Sequence, residues 1–147
     1  MSKKLRRTVL AGFALVVMCM KLDSADAQTA PETWQVVVDV FSGRPNPTFT
    51  LAGAELVQAK DRMSRARATA PAGASGIRPS ILGYRGMIIS GSLNAEVYKG
   101  RILRTGPGAR VTLDDSVSGL EQHLLSVGAA SNKIPPGAMR FIRQAVP

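Results

Sequence analysis

The sequence predicts an α+β fold, a small, mainly antiparallel sheet with helices packed on one face. Three observations indicate this class. Residues 34–41 alternate in the manner of a strand, residues 51–68 and 114–128 repeat apolar side chains at helical spacing, and short apolar runs with glycine turns lie between them. The resulting order of strand, helix, further strands and two final helices is typical of α+β domains.

The first predicted strand covers residues 34–41. Four apolar side chains fall on one of its faces: Trp34, Val36, Val38 and Val40. The other face carries Gln35 and Asp39 beside two apolar residues, and such a mixed second face suits the middle of a sheet. Residues 42–47 contain one glycine and two prolines, which end the strand in a tight loop.

A first helix is predicted over residues 51–68, with Thr50 as its N-cap. Its apolar residues recur at helical spacing: Ala52, Leu56, Ala59, Met63 and Ala66. Residues 69–79 are rich in alanine, glycine and proline, and we expect them to form a mobile connection.

Three further strands are predicted after this connection, at residues 83–90, 95–104 and 110–113. Glycine-containing turns separate them. Within the second of these strands, Gly100 is expected to mark a bulge.

Two helices are predicted at the end of the chain. Asp114 and Asp115 suit a helix start, because carboxylates complement the positive end of the helix dipole. The side chains expected to form the apolar stripe of this helix are Val117, Leu120, Leu124 and Val127. Gly128 is expected to end it. The last helix opens at Pro135–Pro136 and should turn three apolar side chains inward: Met139, Ile142 and Val146.

The first 27 residues have the order of parts of a secretory signal peptide. A basic start is followed by an uncharged apolar run at residues 9–20 and by small residues at Ala25 and Ala27. We expect cleavage after Ala27, so that the mature chain begins at Gln28. A membrane-spanning helix needs about 20 apolar residues, so an uncleaved anchor is the weaker interpretation. The protein is then a periplasmic or secreted bacterial protein that meets the membrane only through its signal peptide before cleavage.

Two details of this segment leave alternatives open. Arg6–Arg7 could belong to a twin-arginine signal. General export is favoured, because Leu5 and Val9 stand where that motif usually has other residues. A lipidated cysteine would follow a small residue, but Met18 precedes Cys19, so we interpret Cys19 as an apolar residue of the signal.

The mature chain is expected to form one domain. Removal of residues 1–27 from the 147-residue chain leaves 120 residues, with a short lead at 28–33 and a globular domain at 34–147. Cys19 is the only cysteine and leaves with the signal. A cysteine-free mature chain excludes disulfide scaffolds, thiol enzymes and cysteine-ligated metal sites. The sequence indicates neither a metal nor a cofactor.

The mature domain is basic. The chain holds 19 Lys and Arg against 10 Asp and Glu, and the predicted signal removes five of the former and two of the latter, which leaves a formal charge of +6. Such a protein is attracted to anionic surfaces and polymers. The favoured interpretation, however, is a solvated surface that reflects only an arginine-rich composition. No motif indicates specific nucleic-acid binding.

Few residues suggest catalysis. His123 is the only histidine, and a triad with Ser90 and Asp39 lacks the glycine-serine turn that exposes a nucleophile. We therefore interpret His123 as a boundary or surface residue. Asp114 and Asp115 are adjacent and point different ways, so helix capping explains them better than a catalytic carboxylate pair does.

Two loops at predicted strand ends combine an aromatic residue, an arginine and glycine: residues 41–47 and 82–86. In the structural interpretation, Asn46 and Ser42 bond the local backbone in a rigid turn, and Arg44 or Arg85 pairs with Asp39. In the functional interpretation, the two loops meet and offer an anionic ligand four side chains: Arg44, Asn46, Tyr84 and Arg85. The first interpretation is favoured, because segments dense in glycine and proline often serve the backbone.

These segments, Phe-Ser-Gly-Arg-Pro-Asn-Pro at residues 41–47 and Leu-Gly-Tyr-Arg-Gly at 82–86, resemble a family of small uncharacterised bacterial proteins. The Leu-Glu-x-x-Leu-Leu helix at residues 120–125 is similar too. The resemblance covers most of the mature chain and implies a single autonomous domain, but it carries no activity. One departure is Phe49, where similar proteins favour tryptophan.

The sequence thus predicts an exported, non-enzymatic binding or interaction module at the cell envelope or outside the cell. Its partner would be an anionic envelope component or a protein. The alternative is a cell-envelope hydrolase with a site between the loops at 42–47 and 82–86, using Asp39, Tyr84, Arg85 or His123. A third hypothesis is a purely structural assembly module.

Overall fold

The structure, a computed structural model, describes residues 31–41, 43–71, 77–79, 82–107 and 109–146. These residues form seven strands and three helices. In chain order they are β1 (Trp34–Asp39), β2 (Thr48–Leu51), α1 (Gly53–Arg65), β3 (Arg67–Pro71), β4 (Gly86–Gly91), β5 (Asn94–Tyr98), β6 (Arg101–Gly106), β7 (Ala109–Asp114), α2 (Leu120–Ala130) and α3 (Pro136–Ala145).

The seven strands form a single antiparallel sheet in the order β2-β1-β4-β5-β6-β7-β3. Strands β4 to β7 are consecutive neighbours joined by short turns, whereas β2 and β3 lie at opposite edges with α1 between them in the chain. The predicted α+β class is therefore confirmed.

The main core lies on one face of the sheet. Val36 pairs with Phe49 on one side and Ile89 on the other, which places all three on this face. The same face of the neighbouring strands and the inward sides of the helices supply further buried side chains: Met87, Val97, Ile102, Leu56, Leu120, Leu124 and Ile142. Each such side chain stabilises the fold by roughly 1.5–3 kcal/mol relative to its exposed state.

The opposite face of the sheet carries Asp39, Ile88, Glu96 and Leu103, as the strand registers require. Leu103 is fully buried although it does not belong to the main core. Arg78, from the connection between β3 and β4, reaches both Asp39 and Glu96. Arg78 therefore lies over the face opposite the main core.

The predicted first helix is wrong at both ends. Thr50 is no N-cap, because Thr48–Leu51 forms β2 and the helix spans Gly53–Arg65. Phe49 and Leu51 pair with Val36 and Trp34 of the first strand, and both side chains are buried on the core face. The predicted mobile connection at residues 69–79 begins as β3, which pairs with β7.

The predicted bulge at Gly100 is also wrong. Lys99 and Gly100 form a two-residue turn between β5 and β6, with φ values of 46° and 71°. Positive φ at both central residues is the geometry that matches the twist of a tight hairpin.

The predicted ends of the second helix need correction as well. The helix begins at Leu120, so Val117 precedes it and is 71% exposed. Gly128 does not stop the helix, which continues to Ala130. A Cβ at this glycine would lie 2.8 Å from Phe49 Cε1 and 2.6 Å from Ile134 Cδ1, so the helix needs a glycine there to approach the sheet.

The predicted signal peptide, with Cys19 and the expected cleavage site at Ala27 and Gln28, lies outside the described residues, as does Ser42. Among the helices that the structure describes, none is both long and apolar enough to span a bilayer.

Candidate functional site

The two predicted loops meet at the carboxylate of Asp39, whose side chain is only 8% exposed. Arg85 Nη2 donates to Asp39 Oδ1 at 2.5 Å, and Arg78 Nη1 donates to Oδ2 at 2.7 Å. Asn46 Nδ2 adds a third hydrogen bond of 3.1 Å to Oδ1. The backbone N–H of Arg85 also donates to the Asp39 carbonyl at 2.7 Å. We call Asp39, Arg78, Arg85 and Glu96 the Asp39 cluster.

Asn46 closes the loop that follows β1. Its Oδ1 accepts the backbone N–H groups of Val40 at 3.0 Å and Phe41 at 2.8 Å. The carbonyl of Pro47 accepts the N–H of Val38 at 2.8 Å. An asparagine side chain that mimics backbone in this way is a common device of tight loops. This is the local role that the structural interpretation gave Asn46.

Arg44 behaves differently from its neighbours in the loop. It is exposed, and its guanidinium carbon lies 4.5 Å from the centre of the Phe41 ring. A cation–π contact at an exposed site stabilises by about 0.5–1 kcal/mol. Arg44 therefore keeps its charge available to solvent, whereas Asn46 and Arg85 are half-buried and engaged.

Arg78 and Glu96 complete the Asp39 cluster, and sequence reasoning missed both. Arg78 Nη2 lies 3.6 Å from Glu96 Oε1. Two arginines thus balance two carboxylates, which leaves no net charge to attract an anion. Among the described residues, three buried atoms of the cluster have no hydrogen-bond partner: Arg78 Nε, Arg85 Nε and Glu96 Oε2. The arrangement fits a clamp that holds Arg78 against the sheet.

Tyr84 does not join this cluster. Its hydroxyl donates to Glu121 Oε1 at 2.6 Å within the core, and its side chain is almost fully buried. Burial, reinforced by the negative charge of Glu121, raises the pKa of Tyr84 far above its usual value. Glu121 Oε2 accepts the N–H of Gly100 at 3.1 Å. The side chains of the adjacent residues Tyr84 and Arg85 therefore lie on opposite sides of the sheet.

The acidic pair before the second helix serves the helix end. Asp115 is buried, and its two carboxylate oxygens accept the N–H groups of Leu120 at 2.7 Å and Glu121 at 2.9 Å. The Ser118 hydroxyl also donates to it. Asp114 accepts the N–H of Ser116 at 2.8 Å, and this bond lowers the pKa of Asp114. Asp115 is thus the side chain that caps α2.

The residues of the hydrolase alternative have different partners. Asp39 and Arg85 bind each other, Tyr84 binds Glu121, and His123 Nε2 lies 3.4 Å from the carbonyl oxygen of Glu55. Within the part of the chain that the structure describes, no group of three or more His, Cys, Asp or Glu side chains is placed to hold a metal ion.

A groove between α2 and α3 is the second candidate. It encloses a cavity of about 580 Å³, whose lining includes Ala129, Ile134, Met139, Arg140, Arg143 and Gln144. We call it the α2–α3 groove. Arg140 and Arg143 are exposed, and neither takes part in an ion pair among the described residues. Phe141, on the same helix, is 52% exposed. An apolar floor with two unpaired arginines can receive an anionic group.

Comparison with known proteins yields no family model that matches the chain, no similar curated protein and no similar solved structure. The resemblance carried by residues 41–47 and 82–86 therefore stays a prediction.

Proposed function

We propose that this protein is an exported, non-enzymatic binding module that holds an anionic polymer of the cell envelope. The observation that carries the proposal is the α2–α3 groove, where Arg140 and Arg143 border an apolar floor without a carboxylate partner in the described structure. The predicted signal peptide at residues 1–27 and the formal charge of +6 on the mature chain support export and an anionic partner.

The chemistry of the groove suits such a partner. A guanidinium presents its donors in a fixed fork that matches carboxylate, sulfate and phosphate groups. The amides of Asn132 and Gln144 add neutral donors beside the arginines. Ile134 and Met139 provide apolar surface for uncharged parts of the polymer. Since the sequence of α3 contains no acidic residue, the helix offers no carboxylate of its own to compete for these donors.

The state of the buried carboxylates supports a binding role over a hydrolytic one. Asp39 is held by two arginines, Asp115 caps α2, and Glu121 receives the Tyr84 hydroxyl. Each of these groups has a structural partner that explains its burial. A general acid or base must be free to exchange a proton with a reacting group, whereas these carboxylates are engaged in contacts within the fold.

The test uses immobilised heparin as the polyanion. The dependence of retention on salt should be measured for the wild type, for Arg140→Gln/Arg143→Gln, and for the matched control Arg101→Gln/Arg104→Gln, which removes two exposed charges from β6. Each lost contact with a polyanion lowers the slope of log affinity against log salt by roughly 0.7–0.9. We expect a decrease of about 1.5 for the α3 variant and little change for the control.

Equal losses in both variants would show that charge alone, not the groove, governs retention, and would refute the proposal. A second arm distinguishes a polymer from a bilayer. Vesicles that contain phosphatidylglycerol should not bind more tightly than heparin does. Binding to vesicles without retention on heparin would assign the groove to membrane surfaces instead.

A further inference from the structure

The two edges of the sheet are protected to different degrees. Strand β3 has an irregular register between Ala68 and Ala70 and ends at Pro71, which lacks an N–H group. Bulges and prolines are devices that discourage an edge strand from pairing with another chain. Strand β2 has a regular register over all four residues and contains neither proline nor lysine. In the part of the chain that the structure describes, β2 is therefore the less protected edge of the sheet.

The backbone of β2 offers hydrogen-bonding groups at this edge. The N–H of Val38 donates to the Pro47 carbonyl, so this pair faces the β1–β2 interface. Hydrogen-bonded and non-hydrogen-bonded pairs alternate in an antiparallel ladder. Thr48 and Thr50, opposite Val37 and Gln35, therefore point their N–H and C=O groups away from β1. Both threonines are exposed.

A cavity of about 420 Å³ lies beside the same strand. Its lining combines β2 with the end of α2: Thr48, Phe49, Thr50, Val127, Ser131 and Lys133. Glu55 also borders it, and together with Val127 and Ser131 it borders an adjoining cavity of about 470 Å³ that reaches His123. We call this space the β2–α2 groove. An open edge strand that faces a helix across a groove is a geometry in which extended peptides bind.

Two charged side chains on the border of the β2–α2 groove can contribute to recognition of a partner. Lys133 and Glu55 lie on its border, and neither side chain takes part in an ion pair among the described residues. Phe49 and Val127 add apolar atoms to its lining. An extended segment with an acidic side chain for Lys133 and apolar side chains at alternate positions would complement this lining.

We propose that an extended segment of a partner protein pairs with β2 as an eighth strand of the sheet. Its backbone bonds the outward N–H and C=O groups of Thr48 and Thr50. Its inward side chains, one of them acidic, enter the β2–α2 groove beside Phe49 and Lys133. This site is distinct from the α2–α3 groove and goes beyond the proposed binding of an anionic polymer.

The first experiment follows amide hydrogen exchange in the purified protein. The probe is an eight-residue peptide in which valine and threonine alternate and one central valine is replaced by glutamate. At a saturating concentration, the amides of Thr48 and Thr50 should exchange at least about 10-fold more slowly than in the free protein. The amides of Phe49 and Leu51, already bonded to β1, should change little.

Two variants test the backbone contact at one position. Thr50→Pro removes the outward N–H without removing a bond to β1, whereas Thr50→Val keeps it. Peptide binding should be lost in the first variant and retained in the second. A thermal melt of each variant shows whether the fold persists. Equal binding by both would refute strand addition at β2.

A charge exchange tests the groove without altering the strand. Lys133→Glu should weaken binding of the glutamate peptide about 10-fold and strengthen binding of a peptide with lysine at the same position. If the wild type and the Lys133→Glu variant prefer the same one of the two peptides, Lys133 does not contact the bound peptide.

The remaining outcomes decide against the proposal. Absence of slower exchange at Thr48 and Thr50 would overturn it. Protection that grows with protein concentration, in the absence of peptide, would assign the edge to a second copy of this chain. Heparin retention of the Thr50→Pro variant is measured separately. A variant that loses peptide binding but is still retained on heparin shows that the two sites fail independently of each other.

Discussion

The Tyr84 hydroxyl donates a hydrogen bond of 2.6 Å to Glu121 Oε1 between two buried side chains that lie 37 residues apart in the chain. The bond joins the segment before β4 to the first turn of α2. The other oxygen of Glu121 accepts the N–H of Gly100 in the β5–β6 turn. One buried carboxylate thus ties together the sheet, a hairpin turn and a helix.

Tyr84→Phe should destabilise the protein, because it leaves Glu121 Oε1 buried without its donor. The expected loss in the free energy of unfolding is about 1–3 kcal/mol, measured by urea denaturation. The control is Tyr98→Phe, since Tyr98 is only half-buried and its ring lies beside that of Tyr84. An equal loss of unfolding free energy in both variants would show that the hydrogen bond to Glu121 does not stabilise the protein measurably.

The raised pKa of Tyr84 predicts a loss of stability at alkaline pH. The phenol remains neutral in the folded protein but ionises near pH 10 once the chain unfolds, so stability is fully present below about pH 10 and declines above it. The decline contributed by this group is about 1.4 kcal/mol per pH unit. Urea denaturation between pH 8 and about 11.5 should show a steeper decline for the wild type than for Tyr84→Phe. Parallel curves would contradict the assignment.

Asp39→Asn should destabilise the protein strongly, because Arg78 and Arg85 would lose the carboxylate that neutralises them. Removal of one partner from a buried ion pair costs about 3–5 kcal/mol. Since both arginines are slightly more than a quarter exposed, we expect about 3 kcal/mol. The same substitution at exposed Asp61, which pairs with Arg65 one helical turn away, should cost less than about 0.5 kcal/mol. Chemical denaturation of the two variants makes the comparison.

Gly128→Ala should destabilise the protein, since a Cβ there would overlap Ile134 and Phe49. Overpacking of this kind typically costs about 1–3 kcal/mol. Gly137→Ala in α3 is the matched control, because a Cβ at that position meets nothing within 4 Å. The control should stabilise the helix by roughly 0.5 kcal/mol. A thermal melt that ranks the two variants in the opposite order would disprove the close approach of α2 to β2.

Several elements of the fold can be predicted from local pattern alone. The alternation in residues 34–41 identifies β1, and the glycine- and proline-rich segment after it predicts the loop that Asn46 closes. Alternation also separates Tyr84 from Arg85, because adjacent residues in extended chain point to opposite faces. The same alternation excludes Tyr84 from a site shared with Arg85.

Other elements depend on partners distant in sequence. Strand β3 has no apolar alternation, and only its pairing with β7, some 40 residues later, defines it. By local sequence, the threonines of β2 suit a helix N-terminus. Only the pairing of Phe49 and Leu51 with β1 shows that the segment is a strand. Arg78 and Glu96 are ordinary surface residues in the sequence, and their roles follow from the contact that Arg78 makes with Glu96 on β5. No local signal identifies them.

The pairing of β3 with the last strand of the chain has a consequence for the order of folding. Strands β4 to β7 form local hairpins with low contact order, which close early because short loops cost little entropy. Strand β3 precedes them in the chain but, among the strands that the structure describes, pairs only with the last of them. The far edge of the sheet must therefore wait until β7 exists, so a chain interrupted before Ala109 would hold β3 without a neighbour to pair with.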